Sequence, residues 1–183
     1  MAQGTKLNTS LKDFIKAQQM FFVATAAPDG RVNVSPKGMD SLRIINDQKI
    51  IWLNGTGSGN ETAAHLLESP RMTLMFCAFE GDARIVRVYG NAKTTQPDDS
   101  RWEELVSRFP EMAGSRQIFA LDIDLVQISC GTGVPLMRFE SQRGLTELVP
   151  YFKDLGPDGV DEFWQRRNAI SIDGKPTGIV PQS

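Results

Sequence analysis

Short apolar runs of strand length alternate with compact turns over most of residues 20–130. Two of these runs, at residues 20–26 and 31–35, flank a turn that contains Pro28 and Gly30, which predicts a β-hairpin. Further strands are predicted at residues 42–45, 49–53, 71–76, 84–95 and 119–125, with a short strand at 136–139.

The run at residues 119–125 alternates most strictly. Its odd-numbered positions are apolar, whereas Asp122 and Asp124 lie between them, so the run is expected to be an edge or half-buried strand. The stretch at residues 36–40, which contains a proline and a glycine, is expected to break the strand that precedes it.

Helical spacing appears at both ends of the chain and between the strands. Leu11, Phe14 and Ile15 share one face of a short helix that Ser10 is expected to cap. Further helices are predicted at residues 63–68, 98–109, 145–155 and 160–168, and residues 171–183 are expected to form a tail.

Six or more short antiparallel strands with inserted and C-terminal helices predict a mainly β fold, a small barrel with peripheral helices. The sequence shows no internal repeat, low-complexity tract or linker. We therefore expect residues 1–183 to form a single domain, in which residues 140–183 are a helical C-terminal extension and tail.

A glycine-rich loop at residues 54–60 lies between the predicted strand at 49–53 and a predicted helix. Free N–H groups and the positive end of the helix dipole suit such a position to phosphate or another anion. The loop is equally compatible with a flexible connector in which Ser58 or Asn60 caps the helix. No Lys-Ser or Lys-Thr follows the last glycine, so the positive charge for a phosphate has to come from elsewhere.

Composition excludes several classes of function. A net charge of −2 gives no general attraction to nucleic acid, and no apolar run approaches the roughly 20 residues needed to cross a membrane. The N-terminus lacks the apolar core of a secretory signal, so a cytoplasmic location is expected. Cys77 and Cys130 are far apart and His65 is the sole histidine, which argues against a metal site.

Several of these segments together resemble the pyridoxamine 5′-phosphate oxidase-like family of FMN-binding split barrels. The resemblance covers about residues 10–130 and rests on the segments at residues 22–26, 28–38, 52–62, 70–76 and 84–90. It implies a split β-barrel, FMN as the cofactor, and a homodimer that holds the flavin in a groove between two subunits.

The resemblance also implies where the cofactor binds. The strand that ends at Lys37 would lie along the flavin ring, and Ser58, Gly59 and Asn60 match the serine and basic pair that hold the phosphate. The full set of cofactor-binding residues expected in this way is Asn33, Val34, Ser35, Pro36, Lys37, Trp52, Leu53, Asn54, Ser58, Gly59, Asn60, Thr62, Arg84 and Arg87.

The chain departs from the family pattern at three places. The basic pair of the phosphate loop is Gly59-Asn60 here, and a flavin-contacting glutamine is replaced by Ile85, which leaves Arg84 and Arg87 as polar candidates nearby. The Arg-x-His pair that grips the substrate of the vitamin B6 enzyme is absent. Oxidation of pyridoxamine phosphate is therefore not expected, and no catalytic residue is identified.

Single residues allow two interpretations each. Lys37 is either a cation of the flavin site or a solvated lysine, and His65 is a base or, more in keeping with its helix, a structural residue. Cys130 is a reactive thiol or a small buried apolar side chain. Arg84 and Arg87 fall on opposite faces of their strand, so at most one points into a given pocket, and either can form a surface ion pair.

Three functions remain open. The first is an FMN-dependent oxidoreductase that acts on a small planar substrate, since a flavin demands few side chains for its chemistry. The second is a non-catalytic module that holds flavin or haem for storage, sensing or transfer. The third is a barrel that has lost its cofactor and serves as a dimerisation module.

Overall fold

A computed structural model describes residues 2–180 of the protein, and an eight-stranded antiparallel sheet forms its centre. The strands follow the order β3-β2-β6-β7-β8-β5-β4, and β1 pairs separately with the C-terminal part of β8. Because β3 and β4 lie at opposite ends of this order, the sheet is an open, split barrel, and the mainly β prediction is confirmed. The strands are Ala2–Gly4 (β1), Phe21–Thr25 (β2), Asn33–Lys37 (β3), Leu42–Asn46 (β4), Lys49–Gly55 (β5), Arg71–Cys77 (β6), Arg84–Thr95 (β7) and Ser115–Cys130 (β8).

The helices lie at the periphery of this sheet. They are Thr9–Ala17 (α1), Glu61–Glu68 (α2), Trp102–Val106 (α3) and Val149–Arg167 (α4), and a π-helical turn at Gly144–Leu148 leads into α4. The cap of α1 is Asn8, whose side chain accepts the Leu11 N–H at 2.9 Å, so the assignment of Ser10 was wrong. The helix predicted over residues 98–109 is confined to α3.

The two helices predicted near the C-terminus form one kinked element. Gly156 has a φ of 70° and a ψ of 172° inside α4, and Pro157, which lacks an N–H group, follows it. Pro150 lies in the first turn, where a helix tolerates proline. The residues at 136–139 form no strand: the Met137 N–H donates to the Phe79 carbonyl, but the Phe139 N–H donates to the Glu80 side chain, so no backbone ladder continues.

The core explains why β5 reads as a continuous apolar run. Trp52 points into the barrel and stacks on Phe119 with ring centroids 4.6 Å apart. The neighbouring Ile51 and Leu53 point the other way into a second cluster, which α3 covers. A strand buried on both faces carries no polar face, so its sequence does not alternate.

Two strands differ from their predictions for physical reasons. The segment at residues 119–125 belongs to β8, which pairs with β7 on one side and β5 on the other, so it is half-buried as predicted but central and not an edge strand. The predicted alternation is confirmed, since Asp122 and Asp124 are exposed. Alternation shows that one face of a strand is solvated, but it does not show whether the strand lies at the edge of the sheet. Strand β3 continues through Pro36, because an edge strand tolerates a residue without an N–H donor.

The C-terminal segment folds back onto the barrel instead of forming a free tail. Asp173 forms an ion pair with Arg31, and Lys175 binds both Asp29 and Glu68. Thr177 is fully buried. The last three residues of the predicted tail, 181–183, lie outside the described residues.

Within residues 2–180, no helix has the length and apolar character needed to span a bilayer. The same residues contain no cluster of His, Cys, Asp or Glu able to hold a metal ion.

Candidate anion-binding cleft

A polar cleft of about 380 Å³ opens where β3, the end of β5 and the start of α2 meet. Side chains of β3 form one wall and the glycine-rich loop forms the opposite wall. Arg116, at the start of β8, also lines the cleft. The lining residues are Asn33, Ser35, Pro36, Lys37, Asn54, Gly55, Gly57, Ser58, Gly59, Asn60, Glu61, Thr62 and Arg116.

The pleat of β3 selects which of its residues reach the cleft. Asn33, Ser35 and Lys37 alternate toward it, while Val34 points outward and is 60% exposed. The Asn33 amide accepts the Ser35 hydroxyl at 3.0 Å and donates to the Thr62 hydroxyl at 3.2 Å. These bonds connect the edge strand to the first turn of α2.

Helix α2 presents its N-terminal end to the cleft. The N–H groups in the first turn of a helix lack helical partners, and the side chain of Asn60, the capping position, makes no capping bond to them. Glu61, in the same turn, has both carboxylate oxygens 3.2 Å from the Ile172 N–H. The carboxylate is therefore engaged by the C-terminal segment.

The glycine-rich loop is held in place by α4 and the residue after it. The Trp164 indole donates to the Thr56 hydroxyl at 2.8 Å, and the Asn168 amide donates to the Gly57 carbonyl at 2.9 Å. The Asn60 amide donates to the Asn168 carbonyl at 3.4 Å, and Asn168 is fully buried. These contacts fix the loop, so it is not a flexible connector.

Two cations share the cleft. The Lys37 ammonium donates to the side-chain Oδ1 of Asn54 at 3.2 Å and lies 5.3 Å from the centroid of the Trp52 ring. Arg116 is 2% exposed, and its Nη1 donates to the Gly59 carbonyl at 3.0 Å, while its Nε has no partner in the described part of the chain. No ion pair within the described part of the chain involves either residue.

The burial of these charges changes their proton affinity. Burial lowers the pKa of Lys37 to about 8, and repulsion from the Arg116 charge contributes to this decrease. Burial also lowers the pKa of Arg116 to about 10, so the guanidinium stays charged at neutral pH. Lys37 and Arg116, together with one carboxylate from Glu61, give the cleft lining a net positive charge beside a helix N-terminus, in a protein of net charge −2.

The structure brings most of the expected cofactor-binding residues together at this cleft, from Asn33 on β3 to Thr62 on α2. Five expected residues lie elsewhere. Besides the outward-facing Val34, these are Trp52 and Leu53, which are core residues, and Arg84 and Arg87, which lie on β7.

The two arginines of β7 have their own partners away from the cleft. The Arg84 guanidinium lies 5.3 Å from the centroid of the Phe14 ring, and Arg87 donates to the Ser129 hydroxyl at 3.0 Å. The sheet order explains this, because β6 and β2 separate β7 from the β3 wall of the cleft.

Sequence reasoning missed Arg116, which is 57 residues from the loop carbonyl that it binds. The one local signal is a charged residue at the entrance to the apolar alternation of β8. The pairing of Gly55 with Ser115 brings that entrance beside the loop. Chain spacing alone does not reveal this proximity.

His65 and Cys130, the two other candidate residues, lie outside the cleft. His65 is buried, and its Nδ1 lies 3.0 Å from the Thr25 hydroxyl, which agrees with a structural role. Cys130 is exposed, so the interpretation as a buried apolar side chain was wrong. Hydrogen bonds from the Thr132 hydroxyl and N–H lower the pKa of the Cys130 thiol.

The depressed pKa of Lys37 predicts a specific dependence of stability on pH. Between about pH 8 and the ordinary lysine value of 10.5, the unfolded chain binds more protons at this residue than the folded protein does. The burial cost is therefore fully present below pH 8 and disappears as the pH rises through this window. We expect the stability advantage of Lys37→Met over wild type to be about 3 kcal/mol larger at neutral pH than above pH 10.5.

Urea unfolding of both proteins at several pH values measures this difference. Lys93→Met, which removes an exposed lysine from β7, controls for the loss of one positive charge. A stability difference between Lys37→Met and wild type that does not change with pH would contradict the burial of a charged Lys37.

Comparison with known proteins identifies the family. The model of the family described as pyridoxamine 5′-phosphate oxidase matches residues 7–130. The Aspergillus flavus protein ustO, named as a member of that family, is 34% identical over 186 residues, which cover 93% of this chain and 75% of ustO.

Solved structures share the fold. A protein from Lactobacillus delbrueckii matches with a TM-score of 0.55 and 19% identity, over 69% of this chain and 99% of its own. HupZ of Group A Streptococcus matches with a TM-score of 0.53 and 18% identity, over 72% of this chain and 99% of its own. The family match extends over strands β2–β8 and the cleft residues, and the chain belongs to the pyridoxamine 5′-phosphate oxidase family.

Proposed function

We propose that this protein binds FMN in the polar cleft and is an FMN-dependent oxidoreductase that acts on a small planar substrate. The observation that carries the proposal is the meeting of Lys37, Arg116 and the N-terminus of α2 around one cleft of a chain from this family. A phosphate monoester supplies the negative charge that these groups lack.

The residues present fit the cofactor. The buried Arg116 Nε has no partner, which leaves a donor for a phosphate oxygen. Ser58 is exposed at the tip of the loop and adds a hydroxyl, and Asn33 and Ser35 offer polar groups along β3 for the ring system. When bound, FMN supplies hydride transfer, while the protein binds and orients it and excludes water.

The described cleft residues favour flavin over haem. A haem needs an axial ligand such as histidine, cysteine, methionine or tyrosine, and the lining contains none of these. His65 is buried under the sheet with Thr25 as its partner. The second candidate, a module that stores or senses a cofactor without turnover, is therefore favoured only in its flavin form. The preference for flavin over haem in this candidate rests on the absence of histidine and cysteine from the cleft lining.

We further propose a homodimer with the flavin at the subunit interface. Val34 on the outer face of β3 is 60% exposed, and Val32 immediately before that strand is 71% exposed. Exposed apolar side chains at a sheet edge are typical of surfaces that pair with another chain. A cleft that opens beside this edge would be closed by a second copy.

For FMN binding, we expect purified protein to show flavin absorption bands and to release FMN on heating. Ser58→Ala removes an exposed hydroxyl at little structural cost and is expected to weaken FMN binding by about 1 kcal/mol. Lys37→Met removes a charge-assisted bond and is expected to cost about 2 kcal/mol of binding free energy at neutral pH. Fluorescence titration measures both.

Ser100→Ala, at an exposed turn away from the cleft, is the matched control and is expected to leave the affinity unchanged. Wild-type protein that is colourless and does not quench FMN fluorescence would contradict the proposal and favour the dimerisation module.

Turnover distinguishes the enzyme from the binding module. We expect NADH or NADPH to bleach the flavin absorption of the loaded protein anaerobically, and an added acceptor to restore it. Loaded protein that stays oxidised with both nucleotides, while dithionite reduces it, would favour the non-catalytic module.

For the dimer, we expect light scattering to give twice the mass of the chain. Val34→Lys places a charge on the proposed interface and is expected to shift the population toward monomer with weaker FMN binding. Lys93→Met serves as the control because it changes an exposed residue of β7. A monomeric wild type with full FMN affinity would contradict the shared site.

A further inference from the structure

The glycine-rich loop of this chain lacks cationic side chains of its own. Residues 54–60 contain no lysine or arginine, and the positions that match the basic pair of the family are Gly59 and Asn60. A phosphate at this loop would meet N–H groups and the Ser58 hydroxyl but no charge from the loop itself. The charge has to come from another element.

Arg116 is placed to supply that charge. The antiparallel pairing of β5 with β8 sets the start of β8 beside the end of β5, where the loop begins. The Arg116 Nη1 donates to the Gly59 carbonyl at 3.0 Å, so the guanidinium lies against the loop and lines the cleft. This contact orients the side chain toward the position of the missing basic pair.

Among residues 2–180, the Arg116 guanidinium has no counter-ion. Arg116 is 98% buried, since 2% of it is exposed, and its Nε has no hydrogen-bond partner. Glu61 is the one acidic residue of the cleft lining, and its carboxylate is bound by the Ile172 N–H. Burying a charge without a partner costs free energy. The described residues provide no anion that offsets this cost for Arg116.

The geometry of a guanidinium suits a phosphate monoester. Its planar donors match two phosphate oxygens at once, which a lysine cannot do. Lys37 lies close enough for its charge to interact with that of Arg116, so a dianion would neutralise both groups. An uncharged ribityl end, as in riboflavin, would leave both charges buried and unpaired.

We propose that Arg116 binds the phosphate of the cofactor in place of the missing basic pair and makes the cleft selective for FMN over riboflavin. This inference rests on the proposed function, because it assigns the phosphate end of the same site. It assigns a residue outside the glycine-rich loop to phosphate recognition. It also gives a chemical reason why the loop can function with Gly59 and Asn60.

The test is a titration of wild type, Arg116→Met and Arg116→Lys with FMN and with riboflavin. We expect Arg116→Met to weaken FMN binding by at least about tenfold and to leave riboflavin binding within about twofold of wild type. Arg116→Lys, which keeps the charge but loses the planar donors, is expected to lie between the two. Arg101→Gln, an exposed arginine before α3, is the matched control.

Thermal stability of the apo variants separates a binding role from a structural one. Replacing an unpaired buried charge by an apolar side chain of similar length is expected to leave the melting temperature unchanged or to raise it. A lower melting temperature with equal losses of FMN and riboflavin affinity would make Arg116 a structural residue and overturn the inference.

Inorganic phosphate provides an assay that does not involve flavin. We expect millimolar phosphate to raise the melting temperature of wild type but not of Arg116→Met. If this occurs while no flavin binds, the proposed function fails and the anion-binding role of Arg116 stands. If wild type prefers FMN and Arg116→Met keeps that preference, the proposed function stands and this inference fails.

Discussion

The cleft depends on one constraint: the buried Arg116 and the partly buried Lys37 have no acidic partner among the described residues. Lys37 and Arg116 come from different strands, and neither forms an ion pair within the described chain. A fold bears the cost of unpaired buried charge when a ligand offsets it. The rest of the site follows from this constraint, because the N–H groups and hydroxyls around the cleft also favour a negative ligand.

Both the sheet and the C-terminal segment position residues of this site. Pairing of β5 with β8 fixes Arg116 next to the loop, and the edge strand β3 carries Lys37 to the opposite wall. Trp164 and Asn168 then form hydrogen bonds to the glycine-rich loop. Both residues lie beyond residue 130, where the match to the family model ends. The loop therefore has a defined shape although glycine occurs at three of its positions.

Family membership and site chemistry give complementary information. The family match covers the barrel, whereas the differences at Gly59, Asn60 and the absent Arg-x-His pair concern ligand recognition. The barrel architecture accommodates such differences because the sheet positions the cleft while ligand-recognising residues lie on loops. The resemblance therefore informs the cofactor class more than the substrate.

The sequence by itself determined the approximate positions of β2–β8, the mainly β fold class and the position of the glycine-rich loop, because hydrophobic period and turn residues are local properties. Only the tertiary structure showed that Asn33, Ser35 and Lys37 share the face of β3 that lines the cleft, because the sequence predicted a strand break at residues 36–40. Only the tertiary structure decided that β8 is central, that Pro36 stays in an edge strand and that Arg116 enters the cleft. These features depend on which strands pair across long chain separations, and pairing partners leave no period in a single sequence.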